Sequence, residues 1–338
     1  MMVAETRRRE QLPPAGGCLT AETRTAGEPF LTVDEEELRE HVGWLSAARH
    51  FRAQPRSNRR IGDRLADLLQ SYGYRVELQG PYRNVIARPP DPGPCTLICA
   101  HYDSVPTTPG ADDNASGVAG LLASARALGH RGRIDADPAR RPNVGFVAFN
   151  CEEDGMLGSS DFVESFLPSG RLVVERAHVL EMIGFCSHER GSQRRPVRVP
   201  IPMPNVGDFI GLLGSGGSNR IVNELVRTAE ARIPELHVVG LKTYCGVDRL
   251  LPVLHRSDHS PFWKAGIPSV LWTDTAELRN PSYHGSGDLP ATLDYGFLRR
   301  VTELLLASAT ATATSTVRDG QHGRPSITVA RHVEPRRP

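Results

Sequence analysis

Two apolar periods alternate between residues 34 and 308. Segments 34–49 and 56–73 carry apolar residues every three or four positions, with Ile61, Leu65, Leu68 and Leu69 on one face of the second. That spacing predicts amphipathic helices. RVELQG at 75–80 and YRNVIARP at 82–89 read as short half-buried strands, a hairpin at a sheet edge. CTLICA at 95–100 is continuously apolar, as a strand covered on both faces is. Further strands are expected at 143–150, 177–183, 235–241 and 267–273. Between them lie helical stretches at 115–129, 156–166 and 217–231, and a short helix opened by Ser257 and Asp258. The closing helix is DYGFLRRVTELLLASA, with Phe297, Leu298, Val301, Leu304 and Leu305 turned to the core. Strands alternating with helices predict a single three-layer α/β/α domain with a mixed, mostly parallel central sheet. In such sheets ligands bind beyond the carboxyl ends of the strands. Residues 186–216, rich in Arg, Pro and Gly, break the pattern. They read as a long loop forming one wall of a substrate cleft.

The 338 residues hold 40 Lys+Arg against 39 Asp+Glu. This balance excludes a wholesale basic nucleic-acid binder and a strongly acidic solvating chain. Residues 1–30 and 313–338 lack apolar periodicity and are expected to be flexible tails on a domain spanning 31–312. The six cysteines are sparse and form no CxxC pair, with Cys95 and Cys99 on one strand. A reducing compartment is the plain reading. With no secretory h-region and no run of 18 apolar residues, the expectation is a cytoplasmic protein with no membrane partner.

Candidate chemistry gathers at the ends of the apolar strands. His101 and Asp103 close the strand at 95–100, Glu152 and Glu153 follow the strand at 143–150, and Glu181 lies near the end of 177–183. Two loops add Asp112 and Asp113, and Tyr283, His284 and Asp288. Any one cluster is more often a solvated face or a packed side chain than a site. Carboxylates at the ends of buried strands are harder to dismiss, because unpaired buried charge is costly. His101, Asp113, Glu153, Glu181 and His284 are donors of the kind zinc accepts. Five exceed the needs of one open tetrahedral ion, whereas two ions sharing a carboxylate use them all. Of two adjacent glutamates, one can then bind metal while the other takes a proton.

Four separated motifs, HYDS at 101–104, PGADDNASG at 109–117, EEDGMLGS at 152–159 and RNPSYHGSGD at 279–288, resemble in order those of the M28 family of zinc peptidases, the bacterial aminopeptidase type. The match spans roughly residues 35–312. The resemblance implies the zinc-peptidase fold and two zinc ions, the second site weaker or open to another divalent metal. It places His101 and Glu181 on one ion, Glu153 and His284 on the other, and Asp113 between them, with a cis peptide at Asp113–Asn114. Glu152 becomes the general base toward a metal-bridging water, Asp103 the carboxylate that orients His101, and Tyr283 a donor to the oxyanion. Asp288 is expected to support His284. RSDHSPFWKAGIP at 256–268 resembles the segment lining the substrate pocket, through Arg256, Asp258, His259 and Phe262. One departure stands out: Glu181 occupies a position where the family often has aspartate.

The implied reaction is hydrolysis of an amide beside a free N-terminal amine, in a peptide or small peptide-like substrate. Three alternatives remain at this stage. One is a glutaminyl cyclase. Another is a carboxypeptidase or deacylase, for which Arg249, Arg256 or Arg279 would meet a carboxylate. The third is an inactive binding module of the same fold. Natural substrate and oligomeric state are not legible in the sequence.

Overall fold

The computed structural model describes residues 31–134, 142–196, 203–310 and 327–331. The expected tail at 1–30 lies outside them. Helices α1 (Glu35–Leu45) and α2 (Pro55–Ser71) precede an antiparallel hairpin, β1 (Arg75–Gln79) and β2 (Asn84–Arg88). Then come β3 (Cys95–His101), α3 (Gly117–Ile134), β4 (Val144–Phe149), α4 (Leu157–Asp161) and β5 (Val174–Glu181). The second half holds β6 (Ser187–Arg190), β7 (Val206–Gly207), β8 (Phe209–Ser215), α5 (Ser218–Arg232) and β9 (His237–Thr243). It ends with α6 (His259–Lys264), β10 (Ser269–Thr273), α7 (Tyr295–Thr310) and β11 (Ile327–Arg331).

Among the described residues one nine-stranded sheet runs β1-β2-β4-β3-β5-β10-β8-β9-β11. Its centre, β4-β3-β5-β10, is parallel, and the antiparallel pairings lie toward the two sides. β3 and β4 are nearly pure apolar runs, and β5 is buried over Ala177–Leu180, because helices cover both faces of the sheet there. On one face α3 and α5 pack on the sheet, and α1 and α7 pack on these helices and on each other. On the other, Phe162 and Phe166 from the turns after α4, with Phe262 of α6, close an aromatic core over Phe149. The helix N-cap at Asp34 is a carboxylate accepting the Glu36 amide, which satisfies one of the orphan donors of α1.

The stretch 186–216 departs from the expected loop. It holds the small β6–β7 ladder and the internal strand β8, whose Phe209, Ile210 and Leu212 are buried. Five glycines at 207–217 hide its apolar alternation. Gly211 is needed there, since a Cβ would lie 3.0 Å from the Thr273 carbonyl of β10. Ile327–Arg331, inside the stretch expected to be a tail, forms an antiparallel edge strand on β9. Among the described residues no helix is long and apolar enough to cross a membrane.

Candidate active site

Three parallel neighbours deliver the main groups to one edge of the sheet. His101 ends β3, Glu181 ends β5, and Glu152 and Glu153 follow β4. Asp113 arrives on the irregular turn Ala111–Ser116 that leads into α3, with a cis Asp113–Asn114 peptide. His284 comes from the turn before α7.

The five expected donors meet. His101 Nε2 lies 3.3 Å from Asp113 Oδ1 and 3.4 Å from Glu181 Oε2. His284 Nε2 lies 3.2 Å from the other oxygen of Asp113 and 3.4 Å from Glu153 Oε2. One carboxylate thus faces both halves of the cluster, each completed by one imidazole and one glutamate. The spacing suits metal ligation: two bonds of about 2 Å at a tetrahedral angle place their donor atoms roughly 3.3 Å apart. The charge balance agrees. Glu181 and the hydrogen-bonding carboxylates of Asp103 and Asp113 draw His101 well above its ordinary pKa, against its burial. Hydrogen bonds to Asp113 and Glu153 raise His284 to about 10. Burial raises Asp113, but the two imidazoles outweigh it and hold the group well below its usual value. Burial and Asp113 push Glu153 up to about 7. Carboxylates outnumber imidazoles, so the cluster lacks positive charge, and a divalent cation fits the donor set.

Glu152 stands outside this donor set. Burial, together with Glu181, Asp258 and Glu153, pushes it well above the ordinary carboxylate range, against the pull of His101. Asp103 ties the two halves of the motif: its oxygens accept the Glu152 amide at 3.2 Å and the Glu153 amide at 3.3 Å. It also lies 3.4 Å from His101 Nδ1, so one carboxylate orients the imidazole and the turn carrying both glutamates.

The remaining expected residues divide. Tyr283 stacks on His284 with centroids 3.8 Å apart, and its hydroxyl lies 3.4 Å from Arg256 Nη2. Both line a cavity of about 380 Å³ that opens on the cluster. Arg256 is paired with Glu277. His259 borders the same cavity, but its Nε2 donates to the Leu254 carbonyl, a packing role. Phe262 is not a pocket residue: it is fully buried in the aromatic core, because it lies on the inward face of α6. Asp258 does not line the cavity either; it lies beneath the site and accepts from Ser159 Oγ at 2.5 Å. Asp288 does not bond His284. Its carboxylate accepts the Asp112 and Asp113 amides at 2.8 and 3.1 Å and so holds the turn bearing Asp113.

Four supporting residues have roles that the sequence did not assign. Arg49, buried, donates to the carbonyls of Tyr102, Pro109 and Gly110 and fastens the ends of the first two motifs to each other. Gly110 lies at φ 62°, where a Cβ would meet the Asp113 carbonyl at 2.4 Å and Arg49 at 2.9 Å. Ser257 donates to Glu181 Oε2 at 2.7 Å. Asp112 faces away from the donors and accepts from the Gly184 amide and Asn280 Nδ2. The motif DD is visible in sequence, but only the turn decides which of its carboxylates faces the cluster.

Beyond its acidic mouth the cavity is apolar, walled by Phe209, Leu212, Val239, Leu241 and Leu271 from β8, β9 and β10. Pro196 and Met203 also line it, so the stretch 186–216 does supply one wall. Arg249 and Arg279 do not border it; Arg279 is buried against Gln193 and the Phe209 ring.

Comparison with known proteins gives a consistent picture. A sequence profile described as Peptidase family M28 matches residues 84–194. The uncharacterized protein YfbL of Escherichia coli K12 is 32% identical over 291 residues, 79% of this chain and 85% of its own length. Aminopeptidase YwaD of Bacillus subtilis is 32% identical over 215 residues, 62% of this chain but only 39% of YwaD. Among solved structures, the LapA aminopeptidase of Legionella pneumophila superposes with a TM-score of 0.61 at 17% identity, over 82% of this chain and 71% of that one. The glutaminyl cyclase of Porphyromonas gingivalis does so with 0.61 at 19% identity, over 82% and 98%. At these identities the structural likeness establishes the α/β fold alone.

Proposed function

The chain belongs to peptidase family M28, a family of zinc-dependent hydrolases, and on that premise we propose that it hydrolyses the amide bond next to a free N-terminal amine whose residue carries a large apolar side chain. The observation that carries this reading is the position of Glu152, beside a donor cluster that shares Asp113 and at the mouth of an apolar cavity. His101, Glu181 and Asp113 would hold one zinc ion, and Asp113, Glu153 and His284 a second. Bound there, the ions supply Lewis acidity and make water a stronger acid.

The chain's own groups do the rest. Glu152 takes a proton from the attacking water and returns it to the leaving nitrogen, which needs a carboxylate of raised proton affinity within one hydrogen bond. Asp103 keeps Glu152 and His101 in fixed relation through the contacts above. Tyr283 stands at the cavity rim and donates its hydroxyl to the developing oxyanion, a contact worth about 2–4 kcal/mol in the transition state. With Asp113, Glu153 and Glu181 committed to the ions, Glu152 remains as a carboxylate at the mouth, and Arg256, already paired with Glu277, is the one arginine or lysine among the described residues lining the cavity. A substrate ammonium can meet Glu152 there, whereas a substrate carboxylate would find no unpaired arginine or lysine among those residues. This argues against the carboxypeptidase reading. The apolar walls favour Leu, Met or Phe as the residue that enters.

The test is a matched pair with added zinc: leucyl anilide, and the same compound acetylated. A free-amine preference of at least about tenfold, equivalent to 1.4 kcal/mol, supports the reading. Equal rates, or faster cleavage of the acetylated compound, would replace it with a deacylase. Release of pyroglutamate from glutaminyl peptides without hydrolysis of leucyl anilide would replace it with a cyclase.

A further inference from the structure

Away from the catalytic cluster, a second group of metal-ligating side chains lies where the β6–β7 ladder meets the start of α7. Cys186, His188 and Asp294 each present one donor atom, all within 4.8 Å of one another, and none of the three lines the substrate cavity. We propose that this is a separate divalent-metal site, of zinc type, built from a thiolate, an imidazole and a carboxylate.

Three features of the geometry support it. First, Cys186 Sγ and His188 Nε2 are 4.0 Å apart. Bonds of about 2.3 Å to sulfur and 2.0 Å to nitrogen at a tetrahedral angle put these atoms roughly 3.5 Å apart. The closure is about half an ångström, and the His188 side chain, 74% exposed, is free to make it. Second, the Asp208 carboxylate, 3.9 Å from His188 Nδ1 and 3.1 Å from His237 Nδ1, adds negative charge beside the group without tying up the Nε2 that faces Cys186. Third, Asp294 is fixed by backbone: its amide donates to the Gly184 carbonyl at 3.0 Å, and its Oδ1 accepts the Phe297 amide at 2.8 Å as the cap of α7. Oδ2 is left to ligate. Thiolate, imidazole and carboxylate together suit zinc, and three protein ligands leave one position for water.

An ion here ties the β6–β7 ladder to α7. That ladder brackets the chain bringing Pro196 and Met203 to the cavity wall, so the site anchors the part of the molecule from which substrate selectivity would come.

The two sites can be told apart because the catalytic donors include no cysteine. Cobalt(II) bound to thiolate gives a near-ultraviolet charge-transfer band that imidazole and carboxylate ligands do not. The full chain carrying Cys18→Ser and Cys245→Ser is loaded with cobalt(II) and titrated. The expected result is a thiolate–cobalt band that disappears on adding Cys186→Ser, and an affinity for that cobalt at least tenfold weaker on adding His188→Ala. His188 is exposed, so the second variant leaves the fold intact. Zinc bound per chain should also fall by one in Cys186→Ser, with leucyl anilide cleavage retained. Absence of the band, its survival in Cys186→Ser, or an unchanged affinity in His188→Ala would each overturn the proposal.

Discussion

Glu152 and Glu153 are adjacent on one turn, and their amides donate to the same Asp103 carboxylate, yet their side chains meet different neighbours. Glu153 reaches His284 at 3.4 Å, whereas Glu152 borders the cavity as a raised carboxylate. Replacing Glu152 by Gln keeps size and packing but removes the proton acceptor. Turnover should fall by about 10²–10⁴-fold while zinc per chain is unchanged. Replacing Glu153 by Gln should instead lower zinc content first, read by metal analysis of the dialysed protein. Near-wild-type turnover in the first variant, or full zinc in the second, would break the assignment of roles. The donors could be read from sequence because each follows an apolar strand or sits in a compact motif. Arg49 could not: a guanidinium satisfied by backbone carbonyls of residues some 60 positions away leaves no periodic trace. Asp288 was visible as a residue but not as to what it holds, since its partners are backbone amides of a turn whose path the sequence does not disclose.

At the scale of elements, strands rich in Val, Ile, Leu and Phe were legible and β8 was not. Its Gly211 serves the close approach of β10 and its Gly214 that of α5, so the two erased the alternation by which a strand is recognised. The centre of the sheet also holds one group that no pattern could flag. His178 on β5 is fully buried and accepts the Trp272 indole N–H from β10 at 3.2 Å through Nδ1. Burial, aided by Arg176, depresses its pKa to about 3. The unfolded chain therefore binds a proton here below pH about 6.5 that the folded chain refuses. Stability from this group is whole above that pH and is lost as pH falls toward 3, by up to about 5 kcal/mol. Between pH 6.5 and 5 the loss is about 2 kcal/mol. Urea unfolding of wild type and His178→Gln at these two pH values measures it: the wild type should lose about 2 kcal/mol more than the variant. Equal losses would mean that His178 is protonated in the fold or exchanges its proton without cost.

For the whole molecule, the cluster joins elements that are distant in the chain: the ends of β3 and β5, the turn after β4, the entry to α3 and the turn before α7. Residues 1–30 lack apolar periodicity and carry none of the proposed donors, so deleting them is expected to leave the cooperative melt and leucyl anilide cleavage within about tenfold of the full chain. Removing metal should act far more strongly. Without a cation, Asp103, Asp113, Glu152, Glu153 and Glu181 crowd around two imidazoles, and the fold is held against their repulsion. A ligand bound only by the folded state stabilises it by about 4 kcal/mol at a thousandfold excess over its dissociation constant. The cleanest measurement uses Cys186→Ser, so that only the catalytic cluster can respond. Its melting temperature should drop on chelation, recover with stoichiometric zinc, and recover less in Cys186→Ser/Asp113→Asn. The comparison isolates Asp113 because that side chain faces both imidazoles, so its loss should weaken both half-sites together rather than one. A melt indifferent to chelation, or a full zinc recovery without the Asp113 carboxylate, would show that the five elements are held by packing alone and that the shared carboxylate is not the keystone of the site.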